Sequence, residues 1–184
     1  LGEVLLEQFI ASFAEPGGNL TGVTDYNLEV SGKRLQLFHE LVPEARRVLF
    51  AYNEANHYNA LQANEYRLAA GQLGLVLVER KVRSNEEAQA LMAEAHALEI
   101  DGIISPNEVD FDIPGLILQA TAQQGIASMF DIAHFVGMGG LASYGGSYDA
   151  AGRQAARLID GIIKGANPGE IPVETAEQLL GLGL

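Results

Sequence analysis

Cysteine and tryptophan are both missing from this 184-residue chain, and basic residues are scarce, with 11 Lys and Arg against 24 Asp and Glu. The lack of cysteine excludes disulfides, thiol nucleophiles and thiolate metal sites together. A net charge of −13, with no sizeable Lys/Arg cluster, excludes a nucleic-acid surface, which needs a basic stripe to displace counterions. It argues in the same way against docking on anionic lipid. No run reaches the roughly 18 apolar residues that span a bilayer. Leu1–Phe13 carries Glu3 and Glu7 and lacks a basic start, so it does not read as a secretory signal. What is present is ordinary for a folded protein: 48% hydrophobic and 7% aromatic residues.

The chain is organised around 137-GMGGLASYGGSYDAAGRQAARLIDGIIKGANPGEIPVE-174. Its glycines leave little side-chain bulk around Ser143 and Tyr144, which suits close approach by another surface. From Tyr148 the period turns helical, with Ala151, Ala155, Leu158, Ile159, Ile162 and Ile163 on one stripe that predicts a covered helix. Gly165 closes it, and Pro168 and Pro172 keep it from resuming.

Upstream, residues 1–14 have helical spacing with no cap before Leu1, which predicts a helix in a chain whose sequence starts late. It stops at 16-PGG-18. A short extended piece, 19–27, follows. Ser31 is expected to cap a helix through Leu41 that Pro43 ends. Then strands 46–53, 75–82, 101–106 and 126–131 alternate with helices ending at Gly71–Gly74, spanning 85–99 and spanning 116–125. This β-α-β-α-β-α-β order predicts an α/β fold, a parallel sheet with helices on both faces.

Ligands bind parallel sheets beyond the carboxyl ends of the strands. Those ends carry Tyr52 and Asn53, Arg83 and Ser84, Ser105–Glu108, and Phe130 and Asp131. The set is polar, aromatic and acidic, and suits a small ligand with an ammonium group. An enzyme reading is poorer. The four histidines lack metal spacing, and the G-x-S-x-G elbow, the phosphate loop and the dinucleotide fingerprint are all absent. His134 near Asp131 is the one acid–base pairing to name. No metal or cofactor is expected.

Four segments in register then carry a resemblance: 16-PGGNLTGV-23, 31-SGKRLQLFHELVPEARRVLFAYN-53, 139-GGLASYG-145 and 159-IDGIIKGANPGEIPVE-174. They are similar to the substrate-binding proteins of ABC-type importers, in the group containing tryptophan and tyrosine binders. The resemblance implies a type I periplasmic-binding fold in which two α/β lobes close on ligand. Residues 46–141 would form the complete second lobe, and 1–45 with 142–184 would be parts of the first, whose N-terminal part is expected to be lacking. The implied pocket edge is Thr21 on the first lobe and Asn53, Asn107 and Asp131 on the second, with Ser143 and Tyr144 at the crossing. The implied partners are a small-molecule ligand, such as an aromatic amino acid, and a membrane permease. The implied location is periplasmic or extracytoplasmic, with membrane association through a missing signal or lipid anchor. An incomplete lobe would expose apolar surface and favour a homodimer. The alternative is a ligand-sensing domain of a signalling protein on the same fold. Two departures from the family pattern stand out: Asn53-Glu54 replaces Asn-Pro, and Asn107 stands where an acidic residue is usual, with Glu108 next to it.

Overall fold

A computed structural model describes residues 9–24, 28, 30–108 and 110–183. The elements run β1 (Val23–Thr24), α1 (Ser31–Leu41), β2 (Arg47–Asn53), α2 (His57–Leu73), β3 (Val76–Val82), α3 (Asn85–Ala93), β4 (Gly102–Ile104) and α4 (Ile113–Gln124). After them come β5 (Ala127–Phe130), α5 (His134–Gly137), β6 (Ala142–Gly146), α6 (Tyr148–Ile163), a 3₁₀ turn (Pro168–Glu170), β7 (Glu174–Thr175) and β8 (Gln178–Leu182). The chain forms two compact units, Leu1–Asn27 with Gly146–Leu179, and Leu28–Gly145 with Leu180–Leu184. The larger unit thus takes in α1, which the sequence reading assigned to the first lobe.

In the larger unit the strand order is β3-β2-β4-β5-β6-β8, and every described pairing from β3 through β6 is parallel. The central strand β2 shows why the sheet is covered on both faces. Val48, Phe50 and Tyr52 point into one core with Leu35, Phe38 and Tyr66. Leu49 and Ala51, one step out of phase, point into the other with Met92, Ile103 and Ile117. Alternate residues of one strand therefore serve two cores, which is why 47-RVLFAYN-53 is apolar with little alternation. Gly102 on β4 leaves room for Phe38, since a Cβ there would lie 2.1 Å from the ring's Cζ.

Local chemistry sets the helix ends. Asn56 caps α2, its side chain accepting from Asn59 N–H at 3.3 Å, and left-handed Gly74 closes it at φ 70°. Ser84 caps α3 as expected, accepting from Glu87 N–H at 3.2 Å, while Glu87 accepts from Arg83 N–H at 2.9 Å. Three expectations need correction. Helix α1 spans the predicted residues, but Val30 occupies the cap position and Ser31 is its first, buried residue. Helix α3 stops at Ala93 rather than running to Glu99, because Gln124 takes over its end: its amide donates to the Met92 carbonyl at 2.7 Å and its oxygen accepts from His96 N–H at 3.0 Å. Helix α4 begins three residues early, capped by Asp112, which accepts from Gly115 N–H at 3.2 Å with Pro114 in the first turn.

In the smaller unit β1 and β7 pair in parallel, Val23 opposite Glu174. Gly17 N–H donates to the Gly169 carbonyl at 2.9 Å, and a Cβ on Gly169 would lie 2.6 Å from the Gly18 carbonyl oxygen. The PGG turn and the Pro168–Glu170 turn thus dock on each other, backbone against backbone. Helix α6 forms at the predicted place, capped by Ser147. Its stripe is less covered than the pattern predicts: Ala150 and Leu158 are buried, whereas Ile159 is 56% and Ile163 78% exposed. Of the helix expected over 1–14, residues 1–8 lie outside the described residues, and Phe9–Ala14 form turns and bends, with Ala11 N–H bonded to the Pro16 carbonyl at 2.7 Å. In the extended piece over 19–27, strand structure covers Val23–Thr24, and residues 25–27 lie outside the described residues.

Candidate functional site

The carboxyl ends of β2, β4, β5 and β6 carry a concentration of buried polar groups. Asn53, the last residue of β2, is 5% exposed; its side-chain oxygen accepts from Ala55 N–H at 2.9 Å and its amide faces Asp110 at 3.5 Å. Past β4, Ser105 is fully buried and Glu108 is 8% exposed. One Glu108 oxygen accepts from Asn59 Nδ2 at 2.9 Å, and the other from Asp110 N–H at 2.8 Å. Past β5, Asp131 is 3% exposed and accepts from Asn107 Nδ2 at 3.0 Å. Taking these carboxylates out of water is costly unless charge or N–H donors answer them, and side-chain amides supply part of that answer here.

Helices α1 and α2 complete the set from the side. The inward stripe of α2 carries Asn59, Gln62 and Tyr66, all fully buried. Gln62 accepts from Asn107 N–H at 3.3 Å, while Gln62 Nε2 and Asn59 Oδ1 have no hydrogen-bond partner among the described residues. Helix α1 contributes Arg34, also fully buried, whose Nε donates to the Tyr144 carbonyl and whose Nη1 donates to the Tyr66 hydroxyl, each at 2.7 Å. Burial works against the Arg34 charge, but Tyr66 and Asp131 outweigh it and hold its pKa above the ordinary arginine value. Burial pushes the Tyr66 phenol up, with Arg34 opposing, so that it stays a neutral partner.

Of the residues named from sequence, the larger unit holds five. Asn107 and Asp131 are in direct contact, and Asn53 lies at the same edge of the sheet. Ser143 and Tyr144 sit on β6, with Ser143 in register beside Phe130, the last residue of β5 before Asp131. Ser143 is buried, with no hydrogen-bond partner for its hydroxyl among the described residues. Thr21 belongs to the smaller unit, where its hydroxyl donates to the Ile171 carbonyl at 2.8 Å. His134 is exposed and stacks edge-on with Phe135 at 5.6 Å.

Arg34, Asn59, Gln62 and Tyr66 were not singled out by sequence reasoning. The signal was available: Ser31, Arg34, Leu35 and Phe38 share one helical stripe, so a cation and a hydroxyl stand where the core should be. Asn59 and Gln62 break the inner face of α2 in the same way. A separate groove of about 430 Å³ lies at the other ends of the strands, beside Ile126, Ala127, Gly140 and Leu141.

A family model described as ABC transporter substrate binding protein matches residues 2–180. The chain belongs to that family. The ABC transporter substrate-binding family and its structural neighbours are solute-binding proteins, not enzymes. Among curated relatives, a tyrosine-binding protein of Clostridioides difficile is 25% identical over 170 residues, covering 92% of this chain and 48% of that protein. Among solved structures, an ABC domain in complex with L-Trp from Streptococcus pneumonia superposes with a TM-score of 0.77 at 21% identity, covering 98% of this chain and 62% of that one. A conserved domain protein from Vibrio cholerae gives 0.76 at 23% identity, covering 98% of this chain and 60% of that one. The chain therefore spans about half the length of the curated substrate-binding relative. The structural likenesses establish the periplasmic-binding-protein fold of this chain.

Proposed function

We propose that this chain holds an amino acid, with an aromatic side chain as the first choice, and serves as the extracytoplasmic solute-binding component of an ABC-type importer that delivers the ligand to a membrane permease. The observation that carries the ligand class is the pair of buried carboxylates, Glu108 and Asp131, at adjacent strand ends. They sit among the side-chain amides of Asn53, Asn59 and Asn107, with Ser143 and Tyr144 on the next strand. A carboxylate opposes the ligand's ammonium, amides and backbone donors take its carboxylate, and aromatic faces line its side chain. That a relative is named for tyrosine and a structural neighbour holds L-Trp supports the choice of aromatic amino acids.

The test is a thermal-shift screen of the chain with the twenty amino acids, sugars and polyols alongside. A ligand at a hundred times its Kd should add roughly 2.7 kcal/mol and raise the midpoint by a few degrees. Because the chain has no Trp, fluorescence of bound L-tryptophan can be read without background. A shift with aromatic amino acids that is lost in Asp131→Ala is the expected result. A shift with a sugar and none with any amino acid would overturn the ligand class.

A further inference from the structure

Arg34 is a full positive charge in a place where α1 should present only apolar side chains. It is fully buried, and α1, α2 and β6 all meet at its guanidinium: Nη1 on the Tyr66 hydroxyl and Nε on the Tyr144 carbonyl. The register that pairs Phe130 with Ser143 brings Tyr144, and with it Arg34, beside the end of β5 that carries Asp131. A charge in this setting is retained only where opposite charge or good acceptors answer it. The strand ends thus combine two buried carboxylates with one buried guanidinium, a mixed rather than uniformly acidic set.

We propose that Arg34 is a specificity-determining residue that makes this site select zwitterionic ligands over simple cationic amines. The inference rests on the amino-acid reading above and refines it. Two carboxylates without a cation would attract any ammonium compound, and a monoamine would satisfy them as well as an amino acid. Arg34 offsets part of that negative potential through Asp131 and fixes the Tyr144 backbone, so a ligand that brings its own carboxylate gains and one lacking it does not. Interactions between charges in a water-poor site remain strong over several ångströms, so direct contact with ligand is not required. The guanidinium keeps its charge despite burial, because Tyr66 and Asp131 together outweigh the desolvation.

The experiment compares matched pairs by calorimetry: L-tyrosine with tyramine, and L-tryptophan with tryptamine, each differing by one carboxylate. Wild-type protein should prefer the amino acid by about tenfold or more. Arg34→Gln should shrink that preference about tenfold, chiefly by loss of amino-acid affinity with amine affinity kept, and Arg34→Lys should restore most of it. An equal loss for both members of a pair in Arg34→Gln would assign Arg34 a merely structural role and overturn the proposal. If Arg34→Gln does not fold, the wild-type ratio still decides, because equal wild-type affinity for amine and amino acid is incompatible with the inference. Failure of wild-type protein to bind any of the four compounds would overturn the functional reading itself, a result distinct from binding without selectivity.

Discussion

Asn107 donates its side-chain amide to Asp131 over 3.0 Å, joining the ends of β4 and β5. The departure from the family pattern at position 107 thereby acquires a reason: an amide can donate to Asp131, and a carboxylate cannot. Asn107→Asp should therefore place two carboxylates in contact and raise the pKa of the pair. A raised folded-state pKa contributes stability that is present below the unfolded value and lost as pH rises through the folded one. The variant should be less stable than wild type by on the order of 1–3 kcal/mol at pH 8, and the deficit should shrink as pH falls toward 4. Urea denaturation at both pH values checks this, and an equal deficit at each would refute it.

Gly102 on β4 faces the Phe38 ring so closely that a Cβ would overlap it, and Phe38 is fully buried. Gly102→Ala should cost about 1–3 kcal/mol through overpacking. Phe38→Leu alone should also destabilise, but the double variant should be more stable than the sum of the two losses predicts. Strict additivity in a double-mutant cycle would show that the two sites do not touch.

Tyr52 donates its hydroxyl to Glu79 at 2.7 Å, and Arg67 reaches the other Glu79 oxygen at 2.6 Å. Burial, aided by Glu79, pushes the Tyr52 phenol up to about 12. Burial works the other way on Glu79, but hydrogen bonds from Arg67 and Tyr52 outweigh it and lower its pKa below the usual carboxylate value. The Tyr52 contribution is full below the unfolded value near 10 and lost between there and about 12. The Glu79 contribution is full above the ordinary carboxylate range and lost on acidification below it. Tyr52→Phe should cost roughly 0.5–1.5 kcal/mol at neutral pH and flatten the alkaline limb of the stability profile. Because Arg67 is 56% exposed, Arg67→Ala should cost at most about 1 kcal/mol, a loss that salt reduces. Denaturation midpoints from about pH 2 to 12 separate the acid limb set by Glu79 from the alkaline limb set by Tyr52.

Thr21 donates its hydroxyl to the Ile171 carbonyl at 2.8 Å. Thr21→Val should lower stability by about 1 kcal/mol and Thr21→Ser should restore it. A Val variant as stable as wild type would show that this bond contributes nothing.

Strand and helix order in 46–131 was legible because each strand is a short apolar run and each helix has a periodic face. The boundaries that went astray were decided by groups distant in sequence. Gln124 ends α3 from 28 residues away, judging by its bond to His96, and nothing within 85–99 announces it. Asp112 begins α4 by a cap that the spacing of Leu116 and its neighbours hides. Asn107 and Asp131 could be placed beyond the ends of β4 and β5 because the apolar runs before them mark where those strands stop. Arg34 escaped because a charged residue on a helix is ordinarily solvated, and only the packing of α1 on α2 shows its stripe to be the buried one. The coverage of α6 was overestimated for a related reason: periodicity shows which residues share a face, not whether anything rests on it.

Residues 16–24 and 168–175 hold each other through backbone contacts, yet Thr21 and its acceptor Ile171 are 150 positions apart. Most of the chain between them, Leu28–Gly145, belongs to the larger unit. The first of these segments therefore finds its partner only across a long stretch of intervening chain. Closing so long a loop of disordered chain is slow and entropically unfavourable, but folding of the intervening residues shortens the free loop to a few flexible links. The small unit's closure is therefore coupled to the larger one through chain length alone: whatever folds between residues 24 and 168 shortens the loop that the two segments must close.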